Sequence, residues 1–242
     1  MDVAATSDIK TEAVRAVQPA EERGHLVGPA DNTFVAHCHH YNCFLQKTLR
    51  SRSGIGMDEV LVNVSASLFF LTFMQAFESG WTLEQRLAYA EVFFRARGYG
   101  NPRVREVLES DLITATASHH SEGYKSKFGE QDEPQDFFLT GALKGALTAA
   151  FGADVEVEQE QCMAMGDDHN AWRITRHREQ QDEIERYIEQ ARRLGARRDA
   201  MTLAPKPEAL PVPPVTSSVR DMELVGDEEN GLIPAFNRGY LI

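Results

Sequence analysis

The sequence predicts an α+β domain in which mixed helices pack on an antiparallel sheet. Three stretches carry that reading. "DVEVEQEQ" (154–161) alternates apolar with polar residues, the period-2 rhythm of a strand with one wetted, acidic face. "NAWRITR" (170–176) follows across "MGDD" as its hairpin partner. Ahead of both, "PQDFFLTGALKGALTAAFG" opens at Pro134 as an apolar helix, and Gly141 and Gly145, four residues apart, mark a face that lets another backbone approach.

The remaining elements follow in order. From Tyr41 the apolar positions 41, 44, 45 and 49 keep helical spacing, so an amphipathic helix starts near residue 39 with Tyr41, Phe44 and Leu45 turned inward. Asp58 caps an apolar helix through Phe77, and Thr82 with Gln85 three residues on opens another that ends near Gly98. Pro102 in a first turn suggests a short helix to about Glu109. "LITATAS" (112–118) is β-branched and alternating, a strand. If it continues through His119 and His120, their side chains point to opposite faces. A charged helix, 178–196, closes the body.

Around this body (31–200) lie three appendages. Residues 1–30 lack hydrophobic periodicity and form a loose arm. "APKPEALPVPPV" places five of the ten prolines in a spacer at 201–215, and 216–242 is a tail with an apolar end.

Composition bounds the function. With 242 residues, 42% of them hydrophobic, the chain can bury one sizeable core. The formal charge of −12 sets a nucleic-acid or anionic-membrane partner against the global field. Three cysteines are too few for a disulfide framework, which fits a reducing cytoplasm. The N-terminus has no apolar signal core, and the longest apolar patch, 68–77, falls short of the roughly 20 residues that span a bilayer. A soluble, cytoplasmic protein is expected.

The stretch most suggestive of chemistry is "AHCHHYNCF" (36–44), with three histidines and two cysteines. On a helix turning about 100° per residue, Cys43 and His39 share the side opposite Tyr41, one turn apart. His40 also reaches Cys43, while His37 precedes the helix and has no fixed direction. Three readings stand open. His37, His39 or His40 and Cys43 bind a divalent metal, zinc or iron, with a further ligand such as His119, His120 or Cys162. Cys43 is a nucleophile whose pKa is lowered by His40. Or the polar side faces water or a partner subunit. No cofactor other than such a metal is suggested.

From 137 onward the order Cys162, Ala164, Gly166, Asp167 and Trp172, behind a glycine-bearing helix and an alternating strand, resembles the C-terminal half of the 4-vinyl reductase domain family. "ATASHHSEGYKSKFG" (115–129) resembles that family's serine-centred segment, and the likeness extends over roughly residues 80–178. It implies a mixed α/β, often dimeric domain that holds a small hydrophobic or aromatic molecule in an internal pocket; some members sense phenols, others serve chlorophyll-type pigment synthesis. In the phenol-sensing members a structural zinc is held at positions that fall here on Asp136, Gln159, Cys162 and Asn170. Only Cys162 is unchanged, and His169 or Glu160 could substitute by a one-residue shift. The histidine and aromatic that hold the phenol fall on Tyr124 and Phe137, with His119, His120 and Trp172 as further ligand contacts. The chain is thus expected to be a homodimeric small-molecule-binding protein with apolar walls from 68–77 and 137–147. A metal- or cysteine-dependent enzyme on the same scaffold is the rival, and an assembly subunit is a third possibility.

Overall fold

A computed structural model describes residues 18–20, 25–27, 33–34, 39–52, 56–77, 80–177, 183–190, 193, 224–227 and 231–234. Three short strands, β1 (Gln18–Ala20), β2 (His25–Val27) and β3 (Thr33–Phe34), pair antiparallel within and just beyond the stretch that the sequence marks as a loose arm. Helices α1 (His39–Arg52), α2 (Met57–Ala76) and α3 (Leu83–Ala96) follow, then a 3-10 turn at Val104–Leu108 in place of the expected short helix. Next come β4 (Leu112–Ala115), α4 (His119–Phe128), α5 (Phe137–Phe151), β5 (Asp154–Gln161) and β6 (Asn170–His177). Residues 183–190, helix α6, lie within the charged helix expected at 178–196. Strands β7 (Leu224–Asp227) and β8 (Gly231–Pro234) form a hairpin in the tail. The proline-rich spacer lies outside the described residues.

The central sheet has the order β4-β6-β5 and is antiparallel throughout, as the alternating sequences imply. Ile113, Val155, Trp172 and Ile174 bury one face against α5. Between Gln159 and Gln161 the β5–β6 register shifts. Such a bulge bends a strand and re-aims its side chains, and this one falls where β5 enters the Cys162 loop.

Helix α5 lies on α2 through the notch that the paired glycines mark. A Cβ built on Gly141 would stand 2.2 Å from the Val62 carbonyl oxygen, and one on Gly145 would stand 2.2 Å from that of Ala66. Neither position tolerates a side chain while the helices keep this separation. Helix α2 is 20 residues long, twice the apolar patch read from the sequence, and by length and composition it could cross a membrane. Its Phe69, Phe70 and Phe73 instead belong to the core, where Phe69 and Phe73 meet Phe93 and Phe94 of α3. Helix α3 begins with the expected capping box: Thr82 Oγ1 accepts from Gln85 N, and Gln85 Oε1 accepts from Thr82 N.

Two expectations are overturned. Strand β4 stops at Ala115, and His119 and His120 begin a helix instead of extending the strand. Ser118 is the reason: in an extended conformation (φ −148°, ψ 129°), it accepts a hydrogen bond from Ser121 N at 3.3 Å and so caps α4. The orientation of α1 is also reversed. Tyr41, Phe44 and Leu45 are 54%, 53% and 37% exposed, whereas Cys43 and Gln46 are wholly buried. The inward side of α1 is its hydrogen-bonding side, because what it meets is polar backbone. Gln46 Nε2 donates to the Gln135 carbonyl at 3.0 Å, and the Cys43 thiol points at the His120 carbonyl at 4.0 Å.

Candidate functional site

Helix α4 crosses α1 and places several chemically able side chains in one seam. Cys43 and Gln46 come from α1, His120 and Tyr124 from α4, and Cys162 and Ala164 from the loop after β5; Cys43, Tyr124, Cys162 and Ala164 form a small buried cluster beside the main core. At the rim, Asn42 Nδ2 lies 3.0 Å from His119 Nε2.

Two atoms on α4 stand out. His120 and Tyr124 are four residues apart, hence on one face of the helix. His120 Nδ1 and the Tyr124 hydroxyl are both buried without a well-formed hydrogen bond, as is Gln46 Oε1 across the seam. The Tyr124 hydroxyl has the Gln46 amide and the Arg50 guanidinium as polar neighbours, and burial pushes its pKa up. His120 is held neutral: burial, with a smaller contribution from His119, lowers its pKa to about 3. Rings surround these atoms. His120 stacks on Phe138 with centroids 5.3 Å apart, and Tyr124 meets Phe128 edge-on at 5.1 Å. Buried polar groups are nearly always satisfied, so a pair left open among rings marks a place where a ligand could supply the missing partners.

Tyr124 also lines a cleft of about 400 Å³ with Lys47, Arg50, Met57, Asp58 and Gln131. Arg50 organises its edge. It binds Asp58 through Nε at 2.5 Å, pairs with Glu133, donates to Gln135 Oε1 at 3.1 Å and covers the Phe137 ring at 4.8 Å. Phe137 thus stands at the rim of this cleft, while Trp172 is elsewhere. It is fully buried in the main core and its Nε1 donates to Thr140 Oγ1 at 2.9 Å.

Beneath the first turn of α4 lies a polar knot. Asp136, at the start of α5, is fully buried; its Oδ1 accepts from Ser118 Oγ at 2.6 Å and its Oδ2 from Ser121 Oγ at 2.5 Å. Ser121 Oγ is also 3.3 Å from Cys162 Sγ. Asn170 Oδ1 accepts from the Met163 amide at 2.8 Å, with Ser121 Oγ and Gln159 Nε2 at 3.1 and 3.3 Å. Burial pushes the Asp136 carboxyl above the usual carboxylate range despite these donors. Burial first, and the Asp136 charge second, push the Cys162 thiol up.

The positions that the resemblance gives to zinc therefore do converge, but their chemistry does not fit the ion. Zinc wants thiolate, imidazole or carboxylate donors. Here both Asp136 oxygens are occupied by serine hydroxyls, Cys162 is held as a thiol, and Asn170 has committed its oxygen to the Met163 amide. That leaves a carboxamide nitrogen, which cannot ligate. Among the described residues no three His, Cys, Asp or Glu side chains form a group able to hold a metal. His169 sits half-buried in the turn before β6. His37 lies outside the described residues, as do the side chains of His39 and His40, so the metal reading of the 36–44 stretch is represented here by Cys43 alone. Cys43 has the surroundings of a thiol, not of an activated thiolate: it is buried, directed at a carbonyl and beside a neutral imidazole. Helical spacing alone turns Cys43 away from the protein; in the structure it faces α4.

Sequence reasoning misses Gln46, Ser118, Ser121 and Gln135. A signal exists for two of them, since a serine just ahead of "HHSE" is a helix N-cap pattern. Gln46 and Gln135 carry no such mark.

The architecture is that of an α+β domain of the 4-vinyl reductase type, and residues 122–176 match the family model of the 4-vinyl reductase domain. In fold the chain is similar to the phenol-responsive sensory domain of the transcription activator PoxR, solved with phenol: TM-score 0.58, 15% identity, 76% of this chain and 96% of that one covered. A vinyl-4-reductase family protein from Methanocaldococcus jannaschii matches at TM-score 0.40 and 14% identity over 71% of this chain and 94% of its own. No curated protein matches the sequence.

Proposed function

We propose that the protein binds a small hydrophobic or aromatic molecule bearing one hydroxyl or similar polar group, in the seam between α1 and α4. The observation that carries the reading is the pair of buried, unsatisfied atoms on α4, His120 Nδ1 and the Tyr124 hydroxyl, set among Phe128 and Phe138. Sites for such molecules are mostly apolar with a few placed polar groups. A neutral imidazole and a protonated phenol can between them accept from and donate to one hydroxyl. The match to the 4-vinyl reductase domain and the likeness in fold to a phenol-responsive domain support the same choice.

Thermal shift with phenol and a series of alkyl- and aryl-substituted phenols tests this. A ligand that binds only the native state raises its melting temperature. The expected result is a concentration-dependent rise that Tyr124→Phe and His120→Phe reduce; no rise with any member of the series would end the proposal.

Two further parts belong to the same reading. Val60, Val64 and Leu68 lie one turn apart on α2 and are 40%, 60% and 60% exposed, which supports pairing of two copies through this stripe. Sedimentation of the wild type as a dimer and of Val64→Glu as a monomer is the expected outcome. Two buried free thiols and the −12 charge support a soluble protein of a reducing cytoplasm, without a nucleic-acid partner.

A further inference from the structure

We infer that the positions Asp136, Gln159, Cys162 and Asn170 form in this chain a metal-independent clamp, in which the hydroxyls of Ser118 and Ser121 stand where the resembling phenol-sensing domains have a zinc ion. The inference does not depend on which ligand the seam takes.

The connections explain what such a clamp would hold. Ser118 caps α4, receiving Ser121 N and donating to Asp136 Oδ1. Ser121 donates to Asp136 Oδ2 from the next turn and is within reach of Cys162 Sγ. Cys162 N donates to Asp167 Oδ2 at 2.7 Å, and Met163 N donates to Asn170 at the first residue of β6. Four elements, the α4 and α5 starts, the end of β5 and the start of β6, are therefore tied together through side chains. A zinc centre ties its elements by bonds to one cation. This arrangement ties them by directed hydrogen bonds that centre on one buried carboxyl, that of Asp136. Each hydroxyl proton is committed: Ser118 and Ser121 donate to Asp136, and the Cys162 thiol can donate in turn to Ser121 Oγ. The acceptor capacity of Asn170 Oδ1 is spent on the Met163 amide, a donor that cannot reverse, which fixes the amide orientation. A cation entering this space would have to displace serine protons from both carboxylate oxygens and would meet no second anion among the four positions unless Cys162 ionised.

The test uses the full chain, without a histidine tag, produced in zinc-supplemented medium. Elemental analysis after dialysis and melting with and without a strong zinc chelator are the two readouts. The expected result is no zinc that depends on Cys162 and an unchanged melting temperature under chelation. Zinc near one per chain that is lost in Cys162→Ser, with a melting temperature that falls on chelation, would overturn the inference. The converse variant combines Asp136→Cys, Gln159→Glu and Asn170→Cys. If the positions correspond, it takes up about one zinc per chain and becomes chelator-sensitive; a folded, zinc-free triple variant would overturn the correspondence. Ser121→Ala keeps the inference exposed if that variant fails to fold. It should lower the melting temperature by about 5 °C with no change in chelator response, and an unaltered melting temperature would refute the clamp.

Discussion

The α2–α5 contact and the α1–α4 seam are both helix pairings, yet they are built from opposite materials. In the first, apolar faces close to backbone distance over Gly141 and Gly145 and the Phe side chains of α2 run on into the core. In the second, α1 turns a glutamine and a cysteine inward and leaves Phe44 and Tyr41 facing out. The α2–α5 pair is held by shape. The α1–α4 pair is held by hydrogen bonds to backbone carbonyls of Gln135 and of α4, and it gathers three unsatisfied buried atoms, from Gln46, His120 and Tyr124, in one place. A contact held by shape has no vacancy to offer, whereas a seam with open donors and acceptors can accept a guest. The two should therefore break under different stresses.

Acid should discriminate most strongly. His120 is buried and neutral, with a pKa lowered from 6.5 to about 3. Between those values the unfolded chain binds a proton that the native chain does not, so the contribution of His120 to stability is complete above pH 6.5 and is lost as the pH falls toward 3. Each unit of separation is worth roughly 1.4 kcal/mol. Against a His120→Gln variant, the stability difference measured by urea denaturation should shrink steadily from pH 7 to pH 4. A difference that stays constant would mean that the imidazole is not held neutral.

The α2–α5 contact should ignore pH and respond to volume. Gly145→Ala places a methyl against the Ala66 carbonyl and the Phe70 amide, at 2.2 and 2.7 Å before relaxation. Overpacking of a closed core costs up to about 3 kcal/mol, so the variant should lose about that much in urea denaturation at pH 7 and at pH 5 alike. Retention of wild-type stability would show that the two helices can part easily.

How far each region is legible in the sequence follows from the same contrast. Apolar packing advertises itself: paired glycines in a run of Leu and Ala, alternation in 154–161 and 170–176, and a Thr-x-x-Gln box each map onto an observed element with little ambiguity. The seam does not. Its orientation depends on where the carbonyls of Gln135 and His120 lie, and no pattern in 39–52 encodes the position of a backbone group some 80 residues away. Amphipathicity misleads because it ranks faces by hydrophobicity alone. The clamp is half legible. Family resemblance locates Asp136, Gln159, Cys162 and Asn170, but a strand drawn through 112–118 hides Ser118 and Ser121, so the groups that occupy Asp136 do not show.

The smallest effect is the sharpest test of α1. A purely amphipathic helix would be damaged by polar substitution on its apolar face and improved by apolar substitution on its polar face. Here the order should invert. Gln46→Leu leaves the Gln135 carbonyl without its 3.0 Å donor in a fully buried site, and an orphaned buried acceptor costs about 1–3 kcal/mol. Phe44→Ser removes a ring that is 53% exposed and whose described aromatic partner is Phe128, edge-on at 5.2 Å. That pairing is worth about 0.5–1 kcal/mol, and a dimer formed through α2 would not change the ranking unless it also covered Phe44. Denaturation of the two variants side by side should find Gln46→Leu the less stable. The reverse order would restore Tyr41, Phe44 and Leu45 as the buried face of α1 and remove the seam as a ligand site.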